Sequence, residues 1–182
     1  MNEITTTASV TLVPLATAAG TFEAAFTGRG LCCLVFPNQR GTGARWLDRH
    51  VPGAEVGSAD ARAAALADQL DAYLRSEVTE FETPVDLLGT PFQVSVWRQL
   101  LAIPYGEVRS YADVARAVGR PDAVRAVGAA NGANPVPIVV PCHRVIGSNG
   151  ELTGFGAGID WKRRLLATEN PARWGGLELP LG

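Results

Sequence analysis

The sequence predicts a mixed α/β chain of the α+β kind in two domains. A small sheet with a packed helix is expected over residues 1–88, and a helix-rich domain over residues 89–182. Three observations predict this. Apolar and polar residues alternate from Ser9 to Phe36 around Gly20 and a Gly28-Arg29-Gly30 turn, as in two or three antiparallel strands. Two later stretches, 58–76 and 90–103, carry apolar residues at helical spacing. Between them a polar, acidic segment from Glu77 runs out at Gly89, where the boundary is placed.

A hydrophobic content of 47% with 19% charged residues is that of an ordinary globular protein. No apolar run reaches transmembrane length and no basic stretch leads into a hydrophobic core. Neither a membrane span nor a signal peptide is expected, and a cytoplasmic location is. Of the three cysteines, Cys32 and Cys33 are adjacent, which makes no disulfide framework and suits a reducing compartment. They lie in the apolar run Leu31 to Phe36 and read as structural; with His50 they lack metal-ligand spacing, so no metal is expected.

A net charge of −2 argues at first against a nucleic-acid partner, but its distribution matters more. Residues 1–89 hold 6 basic and 11 acidic side chains, a net of −5; residues 90–182 hold 10 and 7, a net of +3. Fifteen of the sixteen basic residues are arginine, which suits phosphate contacts, although codon bias gives the same ratio.

In chain order, Asn38 to Gly57 reads as loop, rich in Gly, Pro and Arg. Ser58 to Ser76 reads as a packing helix whose apolar face holds Ala65, Leu66, Gln69, Leu70, Tyr73 and Leu74. Val85 to Leu88 is strand-like. Thr90-Pro91-Phe92-Gln93 then opens a helix with an N-cap threonine, a first-turn proline and the glutamine of a capping box. Phe92, Val96, Leu100 and Ile103 form its stripe, with Trp97 and Leu101 beside it.

Ser110-Tyr111-Ala112-Asp113 repeats the capping pattern and starts a helix to Val118, ended by Gly119. Pro121 and Asp122 start another, which stops near Asn131-Gly132. Two short helices across a Gly-containing turn are the helix-turn-helix pattern. The second helix is nearly bare over residues 125–130, apart from Arg125. Small side chains let a backbone approach a nucleic acid closely. A helix packed in a core with Arg125 at its edge has the same pattern.

Ile138 to Val140 reads as a short buried strand, which Pro141 stops. Cys142, His143 and Arg144 follow. A thiolate is a nucleophile, and His143 and Arg144 are candidate neighbours that would lower the thiol pKa. Adjacent side chains on extended backbone point apart, so Cys142 and His143 meet only across a bend or through a water. A small buried core cysteine is the alternative. Five glycines punctuate Ile146 to Gly158, and Asp160 to Glu169 reads as the last helix. Trp161, Leu165 and Leu166 are expected inward, Lys162, Arg163 and Arg164 outward, with Glu169 an exposed helix end and a loose tail after it.

Pro141-Cys142-His143-Arg144-Val145-Ile146-Gly147 resembles the active-site signature of the O6-alkylguanine-DNA alkyltransferases. Gly89-Thr90-Pro91-Phe92-Gln93, Ile103-Pro104-Tyr105-Gly106, Arg125-Ala126-Val127-Gly128, Asn134-Pro135, Gly154-Phe155-Gly156 and Leu165 to Glu169 stand in that family's order. The resemblance runs from about Val85 to Glu169.

The resemblance implies a ribonuclease-H-like N-terminal domain and a winged helix-turn-helix-like C-terminal domain. It implies transfer of an alkyl group from O6-alkylguanine in duplex DNA to Cys142, once per molecule, with no cofactor and by a monomer. O4-alkylthymine is a further candidate substrate. His143 becomes the base and Glu169 its orienting partner, with Asn134 bracing the active-site loop. Tyr111 rotates the target nucleotide outward and Arg125 takes its place, on a helix laid in the minor groove. Ala126, Ala129 and Ser148 line the DNA-facing surface. Val145, Pro137, Phe155, Gly156 and Ala157 shape the guanine pocket. Phe155 stands where the family usually has tyrosine, and Ala157 where glycine is frequent. Flipping is physically required, because a thiol in a small pocket cannot reach O6 of a stacked base. Two other classes remain open here. One is a non-catalytic protein that binds alkyl lesions. The other is a cysteine hydrolase, for which His50 is the other histidine available.

Overall fold

The computed structural model describes residues 10–54 and 60–175. Three strands, β1 (Thr11–Thr17), β2 (Gly20–Thr27) and β3 (Gly30–Val35), form an antiparallel sheet in sequence order. The alternation seen in the sequence sets the register, with Leu15 opposite Phe22 and Ala24 opposite Leu34. Every residue of β3 is buried because both faces of the sheet are covered.

One cover is a helix where a loop was expected. Residues Thr42–His50 form α1, which begins after Gly41 at φ +78° and buries Leu47 against Ala25, Cys32, Cys33 and Val35. The segment offers few apolar residues, so no helical period shows in its sequence. The other cover is α2 (Ala61–Leu74), capped by Asp60, whose side chain accepts from the Arg62 amide at 2.9 Å. Its expected start at Ser58 lies outside the described residues. Leu66, Leu70 and Tyr73 face inward and Ala65 is exposed.

The strand expected at Val85 to Leu88 is reduced to one parallel bridge, Leu31 with Val85. Pro84 has no amide hydrogen to extend the ladder backward, and past Val85 the Asp86 side chain turns to Thr27 and Arg29. At Gly89 an added Cβ would lie 2.5 Å from the Trp97 ring, so only glycine lets the chain pass that close into the next helix.

That helix, α3 (Pro91–Leu101), has the predicted capping box between Thr90 and Gln93. Val96, Trp97 and Leu100 are buried, as is Ile103 after it; Leu101 is exposed instead of packing beside the stripe. The two-residue strand β4 (Arg109–Ser110) leads into α4 (Tyr111–Ala117), which has the second predicted capping box, between Ser110 and Asp113. The following helix, α5 (Val124–Gly132), starts three residues later than Pro121, because Arg120 to Ala123 close a turn first. Trp97 Nε1 donates to the Ala130 carbonyl at 2.8 Å and pins α5 to α3. Strand β5 (Val145–Ile146) pairs in parallel with β4. Helix α6 (Ile159–Glu169) is followed by a short α7 (Pro171–Trp174), so α6 is not the last. Among the described residues, no helix is long and apolar enough to cross a membrane.

Candidate active site

The strand expected at Ile138 to Val140 is a tight turn. Pro135, Pro137 and Pro141 supply no amide hydrogens, and Ile138 sits at φ +73°, a strained conformation for a β-branched residue. Asn134 closes the turn from both sides. Its Nδ2 donates to the Val140 carbonyl at 2.8 Å and its Oδ1 accepts from the Val136 amide at 3.0 Å. The Leu34 amide donates to the Pro135 carbonyl at 2.8 Å and ties the turn to β3.

Cys142 to Arg144 then form a single 3₁₀ turn. On such a turn successive side chains fan out at a third of a revolution each. Cys142 is thereby separated from His143 and Arg144, whose side chains both converge on Glu169. Cys142, 4% exposed, lines a cleft of about 340 Å³. Asn134, Pro137, Phe155, Gly156 and Ala157 line it from the helical half, and Trp46 and Phe36 from the sheet half. Burial pushes the Cys142 thiol up to about 11, against the pull of the Asn134 amide and the Lys162 charge. The thiol is neutral at rest and needs a base.

Behind the thiol, His143 is fully buried. Its Nε2 lies 2.8 Å from Glu169 Oε1, and Nδ1 has no hydrogen-bond partner among the described residues. Burial pushes the imidazole below its ordinary value, against the raising effect of Glu169, and keeps it neutral. Glu169, expected as an exposed helix end, is buried at the end of α6. Burial raises its carboxyl pKa, but hydrogen bonds and charge from His143 and Arg144 outweigh that and hold it at about 2. The Gly106 amide also donates to it, at 3.0 Å.

Two residues depart from expectation. Arg144 is not the neighbour of the thiol: its guanidinium forks onto Glu169 at 2.9–3.0 Å and donates to the Ile103 carbonyl at 2.6 Å. Lys162 points inward, fully buried, and its Nζ donates to the carbonyls of Val145 at 2.6 Å and Thr153 at 2.8 Å. Burial lowers its pKa to about 8. The clip fastens β5 and the glycine loop to α6. Val145, expected to shape the guanine pocket, is fully buried and its carbonyl accepts from Lys162. The sequence pattern missed both Lys162 and Tyr73, whose hydroxyl lies 2.5 Å from Glu169. A signal was present for Tyr73, which follows Leu66 and Leu70 at helical spacing, and none for Lys162, whose partners are backbone carbonyls.

The glycine loop is held from the sheet half. Gln39 Nε2 donates to the Gly156 carbonyl at 2.7 Å and Asn38 Nδ2 to the Ala157 carbonyl at 2.9 Å. Phe155 meets Phe36 edge-on at 5.7 Å. The remaining predicted residues lie outside this array. The Tyr111 hydroxyl donates to the Thr153 carbonyl at 3.3 Å, and its ring lies beside Gly128 of α5. Arg125, Ala126 and Ala129 are exposed on α5, and Ser148 is exposed after β5. Arg125 makes no hydrogen bond or ion pair among the described residues.

The helical half and its cysteine are of a known kind: residues 91–171 match the family model described as 6-O-methylguanine DNA methyltransferase, DNA binding domain. The methylated-DNA–protein-cysteine methyltransferase of Mycobacterium bovis is 60% identical over 102 residues, 56% of this chain and 62% of its own length. The inducible enzyme of that name from Bacillus subtilis is 46% identical over 127 residues, 70% of this chain and 71% of its own length. The crystal structure of Mycobacterium tuberculosis OGT in complex with DNA superposes with a TM-score of 0.71 at 43% identity, covering 90% of this chain and 93% of that one. The chain belongs to the methylated-DNA–protein-cysteine methyltransferase family. Its match spans less than two thirds of the length of the mycobacterial relative.

Proposed function

We propose that this chain repairs DNA by direct reversal, moving an alkyl group from O6 of guanine in duplex DNA onto Cys142. The observation that carries the reading is Cys142 in a cleft, with His143, next to it in sequence, hydrogen-bonded to Glu169 in the buried interior. A nucleophile, a base and an orienting carboxylate in that order are the parts of covalent catalysis.

His143 takes the thiol proton at Nδ1 through a bridging water. The Cys142 sulfur attacks the alkyl carbon, an S–C bond forms, and the C–O6 bond breaks with its electron pair leaving on guanine. Guanine then takes a proton from Tyr111 or a neighbouring group. The product is a thioether, which water does not cleave, so each chain acts once. O4-alkylthymine offers the same leaving group.

Duplex DNA binds on α4 and α5. Arg125 enters the stack from the minor groove while Tyr111 turns the lesion outward, and the small Ala126 and Ala129 let α5 lie close to the strand, with Ser148 at its edge. Pro137, Val145, Phe155, Gly156 and Ala157 shape the pocket for the base. That the M. tuberculosis homologue was solved in complex with DNA supports DNA as the partner. Residues 1–88 act as a supporting domain and 89–182 as the reacting one, in a cytoplasmic monomer.

The test is incubation with a duplex carrying radiolabelled O6-methylguanine. Label moving to protein and stopping at one equivalent per chain is the expected result. Label staying on DNA that the protein nonetheless binds would place it with non-catalytic lesion binders.

A further inference from the structure

Tyr73 lies on α2 in the sheet half, 0% exposed, outside the stretch matched by the family model. Its hydroxyl oxygen is 2.5 Å from Glu169 Oε1 and 3.2 Å from His143 Nε2. We infer that Tyr73 is a positioning residue of the cysteine array, holding the Glu169 carboxylate and fixing which nitrogen of His143 acts as the base. The inference rests on reading Cys142 as the alkyl acceptor.

The argument is a count of protons. A phenol has one to donate, and burial beside an anion keeps this one protonated. The short contact with an anionic oxygen takes it, since charge-assisted hydrogen bonds are the stronger kind. The Tyr73 oxygen then faces His143 as an acceptor, and Glu169 is an acceptor as well. Both neighbours of Nε2 accept, so Nε2 carries the hydrogen. Nδ1 is left as the lone pair, free to take a proton. The Tyr73 ring is held for this by Phe81 at 5.2 Å and by the edge of Tyr105 at 6.0 Å.

The donated bond also tempers the carboxylate. Without it, Glu169 would attract an imidazolium more strongly and His143 would protonate at higher pH. The other groups facing the pair are Arg144, Lys162, Tyr105 and the Gly106 amide, none of which a Tyr73→Phe substitution removes.

The experiment uses the full chain with ¹⁵N-labelled histidine. The sequence has two histidines, so His143 is readily assigned. NMR should show Nε2 protonated and Nδ1 bare in the wild type. Tyr73→Phe should raise the His143 titration midpoint by about one pH unit, and the acid limb of methyl transfer from O6-methylguanine duplex should move with it. Tyrosine replaced at position 73 alone by 3-fluorotyrosine keeps the shape and donates more strongly, so it should move both midpoints downward. An Nδ1–H tautomer, or midpoints unmoved in both variants whatever the rate, overturns the inference. The NMR arm needs no DNA. Should the wild type titrate as expected yet take no methyl, the proposed function fails and the tautomer assignment stands.

Discussion

Lys162 Nζ donates to the Val145 carbonyl at 2.6 Å from the interior of α6, with its second bond to Thr153 at 2.8 Å. A lysine is rarely buried without a carboxylate partner, and this one is satisfied by backbone alone. Lys162→Met keeps the stem and strands the buried Val145 carbonyl, while the Thr153 carbonyl keeps the Tyr111 hydroxyl. The expected loss is about 1–3 kcal/mol for that one carbonyl left buried and unpaired. Thermal unfolding checks it; a melting temperature equal to that of the wild type would contradict the clip.

Acid should unfold this chain earlier than the family of exposed carboxylates alone would. Glu169 titrates at about 2 in the fold against an ordinary 4.5. Its contribution is therefore complete above 4.5 and is lost as pH falls toward 2. The shift corresponds to about 3 kcal/mol. His143, held neutral below its ordinary 6.5, acts in the same direction: protonation favours the unfolded chain as pH drops below that value. Melting temperature should decline from neutral pH downward and steepen below 4.5. In Glu169→Gln the steep part should disappear.

Asn134 closes the turn that carries Ile138 at positive φ. Asn134→Ala removes both bonds and the amide near the thiol. Stability should fall by about 1–3 kcal/mol, and the rate of Cys142 alkylation should fall further than folding explains. Comparing the rates at a temperature where both proteins are fully folded separates the two effects.

Arg125 is exposed and unpaired among the described residues. Arg125→Ala should slow transfer from duplex DNA by at least tenfold, about 1.4 kcal/mol, and leave transfer from a free O6-alkylguanine base unchanged. An equal loss on both substrates would place Arg125 in the pocket and not on the strand.

How much of this was legible in the sequence depends on what each residue's role requires. The capping boxes at Thr90 and Ser110 are local, so four residues suffice to read them. Cys142, His143 and Glu169 were legible through the family signature; the structure puts His143 in hydrogen-bond contact with Glu169 and Cys142 on the cleft. Ile138 to Val140 misled because its composition is that of a strand, whereas the surrounding prolines and the long-range bond from Leu34 decide its shape. Thr42 to His50 misled in the opposite direction: one buried leucine anchors it, too little for a period to show. Charge alone predicts an outward Lys162. The partners that satisfy it are backbone carbonyls nine and seventeen residues away, which no side-chain pattern encodes. Tyr73 was read as packing because its hydroxyl meets Glu169 across 96 residues of chain.

The most direct measurement is intact mass followed by peptide mapping, after mixing the protein with an O6-methylguanine duplex beside a Cys142→Ser control. The account predicts a gain of one methyl on the Cys142 peptide, complete at one equivalent and absent from the control. Tight binding of the duplex with no change in mass, or a methyl found on Cys32 or Cys33, would contradict it.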